Sequence, residues 1–162
     1  MTSALVLIDL MPRIVALPLA PYSGEDVLAR CRQLATAFRA KDLPVVLVRV
    51  ERPGVTEQPP GSELVSDLAE AGDGVVVKRT IGAFYGTDLH ERLQEAGVTT
   101  VVLGGLVTTM GVESTARAAS DHGYDLEFVH DAMSGLAAEE HQFAIERTFP
   151  RFGAVKRTAD YL

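Results

Sequence analysis

Short apolar runs alternate with longer amphipathic stretches along most of this chain. Six runs have strand character: Ala4–Asp9, Val45–Val50, Gly74–Lys78, Thr100–Gly104, Leu126–His130 and a short Ala154–Lys156. They are rich in Val, Leu and Ile and do not alternate with polar residues, as expected of strands covered on both faces. Helical spacing predicts segments near Glu25–Lys41, Glu63–Ala71, Asp88–Ala96, Thr109–His122 and Ala138–Phe149. Ser23, followed three residues later by Asp26, resembles a capping box for the first of these. Val27, Leu28, Cys31, Leu34, Ala35 and Phe38 form its apolar stripe. Thr87 caps the third helix and Gly97 stops it, while Gly123 and Pro150 stop the fourth and fifth. Strand–helix alternation throughout predicts a three-layer α/β/α fold with right-handed crossovers. There is no repeat and no linker, so the 162 residues are expected to form a single domain, 1–162. The longest irregular stretch, Arg52–Ser62, predicts a surface loop at a site rim or a subunit contact.

Composition narrows the partners. The net charge is −7 with no basic cluster, so neither nucleic acid nor an anionic membrane surface is an expected partner. No apolar run approaches the roughly 20 residues of a membrane span. The opening MTSALVLIDL lacks the basic start and cleavage site of a signal peptide. The single cysteine, Cys31, forbids an intramolecular disulfide and fits a reducing compartment, so a cytoplasmic location is expected.

A few residues carry candidate chemistry. Asp9 ends the first strand, where open α/β sheets bind ligands, although it could equally cap the following turn. Lys78 ends the third strand as a charge partner or donor, or simply as a lysine reaching for solvent. In Gly104–Tyr124 a strand breaks at two glycines and a helix begins near Thr108 or Thr109. First-turn N–H groups there could hold an oxyanion, with Val107, Met110 and Gly111 around it. Glycine at 111 could instead reflect close packing. Phe84, Tyr85 and Met110 are candidate pocket walls or core anchors. Cys31, on an apolar helix face, reads as structural. The four histidines read as surface or helix-end groups.

Four motifs in order then resemble the isochorismatase-like hydrolase, or cysteine hydrolase, family. They are "ALVLIDL", "VVVKRTIGAFYGTDL", "VVLGGLVTTMGVESTARAASDHGY" and "FVHDAMSG", and together they span nearly the whole chain. The resemblance implies a six-stranded parallel sheet of order 3-2-1-4-5-6, with Asp9 and Lys78 as catalytic acid and lysine. Lys78 would lie two strands from Asp9 and would be brought in by its loop. Most members hydrolyse amides through a cysteine nucleophile, whose position here is Gly111, and Cys31 cannot substitute from its place in a helix. This similarity is to the subgroup with glycine in place of the cysteine. Neighbouring Thr108, Thr109 and Ser114 show no partner base in the sequence. Metal-binding members carry Asp and His after the second strand, where this chain reads Val48-Arg49-Val50-Glu51-Arg52, so neither a metal nor another cofactor is expected. The position two after the acid, usually glutamine, is Met11. True isochorismatases also carry the glycine; in them the acid protonates a vinyl ether carbon and water attacks the cation formed. The resemblance therefore implies a metal-independent, non-covalent hydrolase of a small molecule, or a family member that binds without catalysis. It also implies a homo-oligomer, a dimer or tetramer.

Overall fold

The computed structural model describes residues 1–162. Six strands form one parallel sheet: β1 (Thr2–Ile8), β2 (Val45–Val50), β3 (Gly74–Lys78), β4 (Val98–Leu106), β5 (Asp125–Ser134) and β6 (Ala154–Lys156). Their order is β3-β2-β1-β4-β5-β6, so the chain reverses direction of travel between β1 and β4. Ligands bind at such a switch point, beyond the carboxyl ends of the strands.

The continuous apolar strands divide their side chains between two cores. Val6, Ile8, Val48 and Leu103 face one layer, with Leu89, Leu93, Val112 and Ala116 above them. Leu5, Leu7, Leu47 and Val102 face the other, under Val27, Cys31, Leu34 and Phe38. Each such side chain contributes roughly 1.5–3 kcal/mol by leaving water. The helices are α1 (Pro12–Val15), α2 (Gly24–Arg39), α3 (Leu89–Glu95), α4 (Glu113–Asp121) and α5 (Ala138–Phe143). As the sequence predicts, Ser23 caps α2 by accepting the Asp26 N–H. The short α1 escapes the periodicity. A π-helical turn, Thr108–Val112, leads into α4, and α5 continues through a π-helical turn, Ala144–Thr148, and a 3-10 turn, Phe149–Arg151. No helix is long and apolar enough to cross a membrane.

The helix expected over Glu63–Ala71 does not form. Its carbonyls are taken by α2: Arg32 donates to Ser66 O and Asp67 O, and Arg39 donates to Leu68 O. Asp67 adopts a left-handed φ of 61°, and Leu68 is buried in the second core. Tertiary partners thus override a weak local preference.

Candidate active site

The backbone places the acid before any side chain does. Asp9 follows β1 with φ 52°, a left-handed conformation that Asp tolerates better than most residues. Its N–H donates to Val48 O and its carbonyl accepts from Met11 N–H, so the turn is fixed at both ends. Across β1, Gly105 has φ 107°, and a Cβ there would lie 2.3 Å from Ile8 O. Only glycine lets β4 approach so near the residue preceding the acid.

Lys78 closes the site from the other side. It is 2% exposed, and its Nζ lies 3.1 Å from Asp9 Oδ2. The expectation that a loop delivers it needs correction. Lys78 is itself the last residue of β3, in register with Val50, and its four-carbon stem crosses above the end of β2. The alternative of a lysine reaching for solvent is excluded by its burial. The ammonium also donates to Thr80 O at 3.3 Å and Ile81 O at 2.6 Å. A lysine has three N–H donors, so one carboxylate and two carbonyls occupy them all. Lys78 therefore positions Asp9 and folds its own loop.

Asp9 is less well satisfied. Its Oδ1 is buried without a hydrogen-bond partner. Burial pushes its carboxyl above the ordinary value, and the opposing pull of Lys78, as charge and as donor, and of Arg13 does not cancel that rise. A cavity of about 330 Å³ opens beside the pair, walled by Ile14, Val50, Ile81, Leu106, Val107 and Met110. Gly111 also lines it. A Cβ at 111 would stand 3.5 Å from Asp9 Oδ2 but only 2.9 Å from Ile8 Cγ2. The missing side chain thus keeps space open directly before the carboxylate.

The loop after Lys78 is clipped to the Gly111 turn. Ala83 N–H donates to Thr115 Oγ1, which donates to Gly111 O at 2.7 Å. This docking separates the predicted wall residues. Val107, Met110 and Gly111 join Asp9 and Lys78 around the cavity. Phe84 and Tyr85 do not line it: Phe84 is buried against His122 and Tyr124, and Tyr85 is 78% exposed. Ile14, Val50, Arg79, Thr80, Ile81 and Leu106 complete the wall and escape sequence reasoning. Their place directly after Lys78, inside the lysine motif, is the available signal for Arg79, Thr80 and Ile81.

Two other groups bear on nucleophiles. Cys31 is fully buried, donates to Ala132 O, and has a thiol pushed by burial up to about 12. Thr108 does have a basic partner: its Oγ1 lies 2.7 Å from Nδ1 of His141, which is 2% exposed rather than a surface group. Burial lowers His141 to about 4, leaving a neutral ring near neutrality. Thr108 is fully buried and does not line the cavity, so the pair fastens the turn to α5. Beyond β2 the residues do not fit a divalent cation. No histidine is present, and Glu51 is held between Arg49 at 3.1 Å and Arg79 at 3.3 Å. Met11 is buried away from the cavity, its sulfur facing Val50 N–H.

Comparison with known proteins bears on the family and the fold. The model of the isochorismatase domain matches residues 3–160. An uncharacterised isochorismatase family protein of Escherichia coli O157:H7, YecD, is 37% identical over 99% of this chain and 95% of its own. The structure of an isochorismatase family protein from Burkholderia thailandensis superposes with a TM-score of 0.87 at 39% identity, covering 98% of this chain and 93% of that one. N-carbamoylsarcosine amidase from Thermoplasma acidophilum superposes at 0.85 with 29% identity, covering 98% and 97%. Sheet order, motif order and these matches converge, and the chain belongs to the isochorismatase family of hydrolases.

Proposed function

We propose that this protein is a metal-independent, non-covalent hydrolase of a small, largely apolar molecule, with Asp9 as its acid–base group. The observation that carries this reading is a buried carboxyl with a raised pKa on the cavity wall, its Oδ2 3.5 Å from the Cβ position that Gly111 leaves empty and its Oδ1 without a hydrogen-bond partner in the chain. In the protonated form Asp9 donates its proton to the substrate, water adds to the cationic centre so formed, and the water's surplus proton returns to the carboxylate. For a vinyl ether the water adduct is a hemiketal, which collapses by breaking its bond to the alkoxy group as the hydroxyl proton passes to the leaving oxygen, giving a carbonyl compound and an alcohol. Lys78 holds the carboxyl in place, and the Met110–Gly111 turn supplies contact to the substrate.

The test is turnover across vinyl ethers and amides, with Asp9→Asn as control. Acid–base groups contribute about 10²–10⁴-fold, and a loss of that order is expected while the variant stays folded. Undiminished turnover in the variant overturns the assignment.

A second reading, a binding protein without catalysis, draws support from the nucleophile position. No thiol lines the cavity, and its one hydroxyl, Thr80, already donates to Gly82 O. It predicts thermal stabilisation by a ligand with no product formed. Gly111→Cys separates the two further. The new Cβ must displace Ile8 Cγ2, at a cost of about 1–3 kcal/mol for overpacking. Ile8→Leu, which moves the branch away from Cβ, should recover much of that. Amidase activity appearing in the double variant would identify an amidase pocket that lost its nucleophile.

A further inference from the structure

The turn that carries Gly111 is anchored by polar side chains on both sides. Just past its end, Thr115 joins Gly111 O to the Ala83 N–H. At its start, Thr108 Oγ1 meets Nδ1 of His141 on α5 at 2.7 Å. Met110 and Gly111, the two cavity residues of the turn, lie between these anchors. The turn itself is π-helical: the Val112 N–H reaches back five residues to Val107 O at 3.3 Å. Such turns are rare, and they occur frequently at functional sites.

His141 is built into its place. The Tyr22 ring meets it edge-on, with centroids 5.9 Å apart and planes at 84°. The main chain at Gly135 comes so near that a Cβ there would stand 3.3 Å from His141 Cβ and 2.8 Å from Ala137 O. Ser134 ties this wall together, accepting the Tyr22 N–H and donating to Tyr22 O. Docking α5 by shape alone would need only an apolar side chain at 141. A buried imidazole and a buried hydroxyl both lose water, and each recovers that loss only through the other. Thr108 has no other hydrogen-bond partner, so its hydroxyl donates and Nδ1 accepts. His141 is then neutral, with its proton on Nε2. Burial, and next to it the charge of His130, lower its pKa to about 4, which keeps the ring in that form near neutral pH. A proton on Nδ1 would turn the acceptor into a donor and leave the hydroxyl proton unpaired.

We propose that His141 is a positioning residue of the Asp9 site: as the neutral Nε2–H tautomer it accepts the Thr108 hydroxyl and so fixes Met110 and Gly111 relative to Asp9. The proposal rests on the reading of Asp9 as the acid–base group. Neither Thr108 nor His141 lines the cavity, so both act through the backbone of the turn. A turn freed at Thr108 would pivot on its Thr115 anchor. The space before Asp9 Oδ2, 3.5 Å deep at the Cβ position of Gly111, would then no longer hold its shape.

The test compares Thr108→Val, which keeps the shape and removes the hydroxyl, with Thr108→Ser, which keeps the hydroxyl and removes a methyl. His141→Leu and His141→Asn form the matching pair, the asparagine oxygen standing in for Nδ1. In the wild type, ring ¹⁵N NMR at neutral pH should show the proton of His141 on Nε2. Amide exchange at Met110 and Val112, which both bond Val107 O, should quicken at least about tenfold in the Val and Leu variants, with exchange over α2 unchanged. On whichever vinyl ether or amide the wild type turns over, kcat/KM should fall at least about tenfold in those two variants. The Ser and Asn variants should stay near the wild type in both readouts. A role in packing alone predicts the reverse order, with Val tolerated better than Ser. That order overturns the proposal, as does a proton found on Nδ1. Faster exchange with unaltered kcat/KM would make the pair a structural clip only, and overturns it too. If His141→Leu does not fold, Thr108→Val decides. A wild type without turnover sinks the hydrolase reading rather than the anchor, which the tautomer and the exchange rates still uphold or overturn.

Discussion

Two ion pairs fasten loops in this fold, and they are built differently. Arg39 meets Asp73 through two hydrogen bonds, Nε to Oδ1 at 3.2 Å and Nη2 to Oδ2 at 2.6 Å. It reaches Glu70 and Leu68 O as well, and Asp73 accepts a further bond from Glu70 N–H. Both carboxylate oxygens of Asp73 are therefore satisfied. Asp9 and Lys78 also make a pair, but there only the lysine is saturated. A pair built only for stability has no reason to leave a buried acceptor bare, since such an atom costs about 1–3 kcal/mol. The imbalance at Asp9 supports the acid–base role proposed for it.

The comparison breaks most visibly on losing the cation. Lys78→Met should destabilise the fold by about 3–5 kcal/mol, because it leaves a carboxyl buried and unpaired. Urea titrations should show the loss shrinking in acid, where Asp9 takes up a proton, and growing as pH rises. A loss independent of pH would mean that the lysine acts through its packing and its carbonyl partners alone. Arg39→Met should cost less, about 2 kcal/mol, since Glu70 borders solvent and the buried Asp73 carboxylate keeps the Glu70 N–H as a donor. Its signature should be local. Hydrogen exchange and proteolysis should increase over residues 66–73, where Arg39 replaces a helix as the organiser of the chain.

That segment marks the boundary of what the sequence reveals. The strands were legible because burial on both faces writes an uninterrupted apolar run, which few other environments produce. Glu63–Ala71 misled because its local pattern permits a helix, while Arg32 and Arg39 claim its carbonyls from another element. Asp9 and Lys78 were legible as charges at the ends of apolar strands, yet nothing in their spacing announces a 3.1 Å contact. Phe84 and Tyr85 shared a motif with Lys78 but not its destination. The clip from Ala83 to Thr115 turns the loop, leaving Ile81 on the cavity and Phe84 against His122. His141 was hidden for a simpler reason: a polar residue in a helix looks exposed until its neighbour, here Thr108, is known.

The smallest predicted effect is also the sharpest on the nature of Asp9. Its folded pKa lies above 3.8, so through the interval between these values the folded state binds more protons than the unfolded one. Stability carried by that proton falls as pH rises through the interval and is fully lost above it. Asp9→Asn removes the titration, so the stability of the variant minus that of the wild type should climb with pH and then level off. His141 contributes an opposite slope: its folded value is about 4 against 6.5, so its share rises with pH between those limits, by about 3 kcal/mol at most. That contribution is common to both proteins and cancels in the difference. The absolute change from Asp9→Asn at neutral pH should stay within about 1–2 kcal/mol, because the amide oxygen of asparagine can replace Oδ2 as acceptor for Lys78, which also keeps its two carbonyls. A flat difference curve would show that Asp9 is as well solvated as Asp73 is well paired, and the contrast between the two acids would collapse.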